Sequence, residues 1–259
     1  MMDAFPGIEG FLLDLNGVFY VGDRLIDGAV ETIKAFKTQN IPCRYLTNTT
    51  TQSIETFHRR LLNLGLPIEK SDIISAPYAA VLHLRQMDDP KCYLLLSDDA
   101  QQDFREFRQS DTEPDAIVIG DIGDRWDYNL MNDVFGKIVR GAELVALHKG
   151  RYWQGERGLQ LDIGAFVTGL EYASGKTATV IGKPSLSFFK LALSDLGLSP
   201  YKVALIGDDI NADVGGAQNA GIMGVLVKTG KYRPELAERV PVSPDRILNS
   251  IADLPALLS

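Results

Sequence analysis

Four places in this sequence set a residue able to do chemistry at the end of an apolar run. FLLD, residues 11–14, ends in Asp14. RYLTN, residues 44–48, ends in Thr47 and Asn48. TVIGK, residues 179–183, ends in Lys183. ALIGDD, residues 204–209, ends in Asp208 and Asp209, and Asp213 follows one helical turn after Asp209. Any one of these acids taken alone reads equally well as a helix cap or a turn residue. Carboxylates, a lysine and a hydroxyl brought together would suit a divalent cation and a phosphoryl group. Mg²⁺ takes oxygen ligands and keeps much of its water, and a phosphoryl group needs positive charge on several sides.

For these residues to meet, the runs must be neighbouring strands of one sheet, because the carboxyl ends of an open parallel sheet form its crevice. The spacing predicts that arrangement. Residues 10–15 read as a buried strand. Residues 27–40 place Val30, Ile33, Ala35 and Phe36 at helical spacing. IPCRYLTN reads as the next strand, and SIETFHRRLLNLGL as a helix closed by Gly65. The rhythm returns in ATVIGKP, PSLSFFKLALSDLGL, KVALIGDD, NADVGGAQNAG and MGVLVKTG. Alternating strands and helices imply a parallel sheet with crossover helices.

Between the two parts lies a stretch with its own strands, KCYLLLSDD, DAIVIGD and ELVALHK, and its own helix, YNLMNDVFGKIVRG. At roughly 100 residues it is long enough for a domain. The fold class expected is α/β, a Rossmann-like parallel-sheet core with an inserted α/β cap domain. The core would comprise residues 1–76 and 178–259, and the insert residues 77–177. The other organisation the pattern allows is one continuous sheet of many strands. In the first, the insert would be a mobile lid crossing at Ser75–Tyr78 and Ser174–Ala178, where small residues and Gly175 could absorb a hinge.

A chain of 259 residues with 45% hydrophobic and 23% charged side chains has an ordinary globular balance. The formal net charge of -8, with no basic cluster, argues against nucleic acid as a partner. No apolar run reaches the ~20 residues of a membrane helix. Cys43 and Cys92 lack nearby metal-ligand partners and read as free thiols. With no signal-like start, a cytoplasmic location and no membrane partner are expected.

DLNGVFY, LTNTT, VIGKP, IGDDINADVGGAQNAG and VKTGKY occur in the order found in the haloacid dehalogenase superfamily of hydrolases. ALHKGRYW and GAFVTGLEYASG resemble its subclass IIA, which carries a large α/β cap, so the likeness covers almost the whole chain. The resemblance implies a Mg²⁺-dependent phosphohydrolase acting on a small phosphorylated molecule. In it Asp14 is the nucleophile that becomes an aspartyl phosphate. Asp14, the backbone carbonyl of Asn16, Asp208 and Asp213 are the metal ligands. Thr47 and Asn48 hold the phosphate, and Lys183 offsets charge on nucleophile and phosphate. In the cap, His148, Lys149, Arg151 and Tyr152 are candidates for substrate contact, with Lys149 and Arg151 the stronger pair. The resemblance also implies pairing of two copies through their caps.

One position departs from the pattern. The family normally places an acid two residues after the nucleophile, where it protonates the leaving oxygen and then accepts a proton from water. Here that position is Asn16. An amide has no titratable proton, though it can donate a hydrogen bond and its carbonyl can bind metal. Losing general acid–base help costs ~10²–10⁴-fold in rate. The loss falls least on leaving groups that are stable or already protonated, which points to pyrophosphate or a phosphoramidate as substrate. The alternative expectation is a phosphate-binding or regulatory protein with little turnover.

Overall fold

The structure, a computed structural model, describes residues 5–155, 158–237 and 240–258. The chain divides into two compact units. One comprises residues up to 47, 58–74 and 183 onward; the other comprises 48–57 and 75–182.

The first unit is built on a six-stranded sheet. Its order is Arg246–Leu248, Met223–Val227, Val203–Gly207, Gly10–Asp14, Cys43–Thr47 and Ile73–Ser75. The two central strands are parallel and in register from Gly10 opposite Val203 to Leu13 opposite Ile206, and Asp14 stands opposite Leu46. Every residue of Gly10–Asp14 and of Val203–Gly207 is buried. Unbroken apolar runs are what a strand covered on both faces requires. From the centre the chain runs outward in both directions, so the order reverses between Gly10–Asp14 and Val203–Gly207. This is the switch point at which open α/β sheets bind ligands. The crossover helices expected from periodicity form at Ala29–Thr38, Ile54–Asn63 and Leu186–Leu196.

The second unit has a parallel five-stranded sheet in the order Thr179–Val180, Glu143–Ala146, Ala116–Ile119, Lys91–Leu95 and Arg108–Gln109. The helices Tyr128–Val139 and Gly164–Ser174 pack on it through Val134, Ile138, Val167 and Leu170. Two separate sheets rule out one continuous sheet.

The structure differs from the sequence reading in one strand. ATVIGKP was expected in the first sheet, but Thr179 and Val180 pair with Val145 and Ala146 in the second. The backbone then continues in the same direction, with Gly182 N–H donating to Leu147 O at 2.8 Å, before the chain enters the first unit at Lys183. Periodicity identifies a strand but not its partner. The segment Asn48–Phe57 also belongs to the second unit, so the chain changes units at 47/48, 57/58, 74/75 and 182/183.

Candidate active site

Asp14 is the last residue of its strand and Asp208 follows the adjacent one, so both lie at the switch point of the first sheet. After Asp208 the chain does not begin an ordinary helix. Asp209 caps the segment, its Oδ1 accepting from Asn211 N–H at 3.0 Å and Ala212 N–H at 2.9 Å. A turn of π-helix, Ile210–Gly215, follows, in which Val214 N–H reaches back to Asp209 O at 3.2 Å. Such wide turns are frequent at functional sites. This one directs Asp213 inward, where its Oδ2 accepts from Asp209 N–H at 3.0 Å.

Lys183 joins the group. Its Nζ lies 2.5 Å from Asp14 Oδ1 and 2.7 Å from Asp213 Oδ1. Asp14, Lys183, Asp208 and Asp213 are 6%, 4%, 3% and 1% exposed, which places four ionisable groups out of water. Burial disfavours the charged form of Lys183, but Asp14 and Asp213 overcome it and raise the ammonium above its usual range. Burial, together with the Asp14 and Asp213 carboxylates, pushes Asp208 well above the usual carboxyl range. Asp213 is pushed up to about 6, mainly by burial, although Lys183 pulls against it.

Three buried carboxylates therefore face one buried ammonium, and negative charge is in excess. Ligand oxygens of Asp14, Asp208 and Asp213 all lie within 4.8 Å of one another. An all-oxygen set with uncompensated charge fits a hard divalent cation.

A loop without a role in the sequence reading completes the site's floor. Thr229 Oγ1 donates to Gly17 O at 2.5 Å, and Lys231 N–H donates to Asp208 Oδ2 at 2.6 Å. Gly17 has φ +93°, and a Cβ there would stand 1.8 Å from Asp208 Oδ2. The glycine serves both the turn and the approach of Asp208, whereas its sequence suggests the turn alone. The available signal was TGK after a buried strand, at the same sheet end as Asp14. Asn16 is exposed although its neighbours on both sides are buried, so its side chain leaves the core at the site.

Thr47 is buried at the end of the strand beside Asp14. Asn48, the next residue, belongs to the second unit, where its Oδ1 lies against Gly182; a Cβ on Gly182 would come within 2.4 Å of it. Also in the second unit, Lys149, Arg151 and Tyr152 line an open depression of ≈ 650 Å³ with Gln160 and Thr168. Lys149 is engaged there by Glu171 at 2.5 Å, while Arg151 is exposed. His148 is buried, its Nδ1 accepting from Gly150 N–H at 3.1 Å. His58 and His83 meet Ile68 O at 2.9 Å and Glu143 Oε1 at 3.0 Å, as packing residues do.

Comparison with known proteins extends this geometry. Residues 11–108 match the family model of haloacid dehalogenase-like hydrolases, and residues 180–254 match a HAD-hydrolase-like model. A bovine (Bos taurus) haloacid dehalogenase-like hydrolase domain-containing protein 2 is 39% identical over 92% of this chain and 90% of its own. The chain belongs to the haloacid dehalogenase-like hydrolases. Human phospholysine phosphohistidine inorganic pyrophosphate phosphatase is 36% identical, covering 97% of this chain and 94% of its own. Among solved structures, p-nitrophenyl phosphatase from Archaeoglobus fulgidus superposes with a TM-score of 0.90 at 27% identity, over 97% of this chain and 99% of that one. The resemblance drawn from the motifs is borne out, and so is the α/β fold class. Among the described residues, no helix is long and apolar enough to cross a membrane.

Proposed function

We propose that this haloacid dehalogenase-like hydrolase is a Mg²⁺-dependent phosphohydrolase acting through an aspartyl phosphate at Asp14. The observation that carries the proposal is the buried group of Asp14, Lys183, Asp208 and Asp213 at the switch point. The names of its relatives support the same chemistry. Asp14, Asp208, the Asn16 carbonyl and Asp213, directly or through water, would hold the ion. When bound, the ion offsets the charge of phosphate beside carboxylate.

Asp14 attacks phosphorus, and the bond to the leaving group breaks as the new P–O bond forms. Lys183, paired with Asp14 and Asp213, places positive charge beside the attacking carboxylate and lowers its repulsion of the incoming dianion. Thr47 and Asn48 hold phosphate oxygens. The leaving group departs with the electron pair of the broken bond, and Asn16 has no proton to give it. Substrates whose leaving group needs no proton are therefore favoured, namely pyrophosphate, phosphoramidates and activated esters. Water then attacks the phosphorus of the aspartyl phosphate and releases phosphate and Asp14. Arg151 is assigned to recognition of the rest of the substrate, and Lys149 can serve only by exchanging Glu171 for a substrate anion. The free thiols Cys43 and Cys92 fit a cytoplasmic setting.

The test is hydrolysis of pyrophosphate, a phosphoramidate, p-nitrophenyl phosphate and an alkyl phosphate with and without Mg²⁺, beside Asp14→Asn. The expected order is that in which leaving-group basicity rises. Rates equal for the wild type and Asp14→Asn would refute the nucleophile. The exposed amide at position 16 favours one second reading, a protein that binds phosphate and turns it over poorly. Phosphate binding with no turnover of any of the four compounds would establish it.

A further inference from the structure

The segment from Asn48 to the start of the helix Ile54–Asn63 is fastened to the second unit at every turn. Asp121 N–H donates to Thr50 Oγ1 at 3.0 Å, and Ser97 Oγ donates to Thr51 O at 2.7 Å. Two carboxylates from the stretch after the strand Lys91–Leu95 then take the amino end of the helix. Asp99 Oδ2 accepts from Ser53 N–H at 2.7 Å, while its Oδ1 accepts from Thr56 Oγ1 at 2.9 Å. Asp103 Oδ2 accepts from Ile54 N–H at 2.9 Å.

A helix start leaves backbone N–H groups without partners and carries partial positive charge, so a carboxylate there is favourable. The residue before the helix gives the usual local cap, Ser53 Oγ accepting from Thr56 N–H at 3.3 Å. Asp99 and Asp103 add to it from 46 and 49 residues away along the chain. The strap they hold begins immediately after Thr47. It also carries Asn48, packed against Gly182, the residue before Lys183.

We propose that Asp99 and Asp103 are positioning residues for phosphate: by capping Ile54–Asn63 they fix Asn48–Phe57 to the second unit and thereby set Thr47 and Asn48. The proposal rests on the phosphohydrolase reading. The strap and the carboxylates that cap it lie in the second unit, whereas the cation site of Asp14, Asp208 and Asp213 lies in the first. Phosphate and metal binding should therefore separate under mutation.

The experiment measures binding by calorimetry, Mg²⁺ titrated alone and inorganic phosphate titrated at saturating Mg²⁺, for the full chain and for Asp99→Ala, Asp103→Ala and the double variant. One lost cap corresponds to about fivefold in phosphate affinity, and the double variant should lose more. Mg²⁺ affinity should stay at the wild-type value. For pyrophosphate, KM should rise while kcat changes little. Asp99→Asn and Asp103→Asn keep an acceptor oxygen, so they should fold and recover part of the phosphate affinity. Unchanged phosphate binding in the alanine variants, or in the asparagine variants should the former not fold, would overturn the proposal. So would an equal loss of Mg²⁺ and phosphate, the mark of general damage. A wild-type chain that binds Mg²⁺ but no phosphate would refute the phosphohydrolase reading itself, and the strap's role with it.

Discussion

KCYLLLSDD in the second unit and KVALIGDD in the first are almost the same phrase: a lysine, an apolar strand in a parallel sheet, and two acids at its carboxyl end. Their acids have opposite fates. Asp98 is exposed, and Asp99 spends both oxygens on the start of a helix, accepting from Ser53 N–H and Thr56 Oγ1. Asp208 is 3% exposed and within reach of two other carboxylates. A backbone donor does not separate them, because Asp208 also accepts from Lys231 N–H. What separates them is the company of other buried carboxylates, which fits a cation at Asp208 and is not found at Asp99 among the described residues. The position at a strand end is shared, so the chemistry lies in what each acid faces.

Mutations at the two ends should pull this comparison apart. The largest effect is expected at Asp14, where Asp14→Asn should reduce pyrophosphate hydrolysis by ~10⁴-fold or to background, as removal of a nucleophile does. Asp99→Asn, an identical exchange at the other sheet, should leave kcat within about tenfold. A comparable kcat loss for both would erase the distinction.

Second in size is Asn16→Asp, which restores a titratable group beside the nucleophile. Alkyl phosphate hydrolysis should rise ~10²-fold, within the range for acid–base catalysis. Pyrophosphate and nitrophenyl phosphate should gain less. Equal gains for all substrates would show that proton transfer is not what Asn16 lacks.

Smaller effects concern stability of the metal-free protein. Asp208 and Asp213 have carboxyls raised above their ordinary range on folding, Asp213 to about 6. A carboxyl raised in this way binds its proton more tightly when folded. Stability is then highest at low pH and is lost as pH rises through the folded pKa. Melting of the metal-free chain should therefore occur at higher temperature at pH ~5.5 than at pH ~7, with Mg²⁺ removing the difference. Asp208→Asn should flatten the same profile and raise the neutral-pH melting temperature by ~2–4 °C, while weakening Mg²⁺ binding. The smallest change expected is from Thr229→Val. It removes the hydroxyl that donates to Gly17 O and should cost ~1 kcal/mol in denaturant unfolding.

Much of the site was legible because its side chains sit where apolar runs stop. Asp14, Thr47, Lys183 and Asp208 announce themselves this way, Asp213 follows one helical turn after Asp209, and periodicity supplied the helices that keep the strands parallel. What was not legible depends on partners distant in sequence. Thr179–Val180 has the pattern of a buried strand in either sheet, and only pairing with Glu143–Ala146 decides between them. Asp99 and Asp103 look like ordinary turn acids until the helix they cap is known. Lys231 contributes its backbone N–H to Asp208, and no side-chain type advertises that. The fit between Gly17 and Asp208 is likewise a matter of space: the sequence shows a glycine but not the carboxylate that fills the room beside it.

The turn after Asp14 has a further consequence for the lifetime of the protein. Asn-Gly pairs lose their amide when the glycine nitrogen attacks the asparagine side chain and closes a five-membered imide, which opens to aspartate or isoaspartate. In the folded chain that nitrogen is engaged, with Gly17 N–H donating to Tyr20 O at 2.7 Å, and Tyr20 is 1% exposed. Asn16 is thus shielded from ageing while the turn is closed, and each opening exposes it. Conversion of Asn16 would then count openings of this turn, and the minor product of the imide, aspartate, would install the acid that the sequence lacks, whereas the major product, isoaspartate, would not.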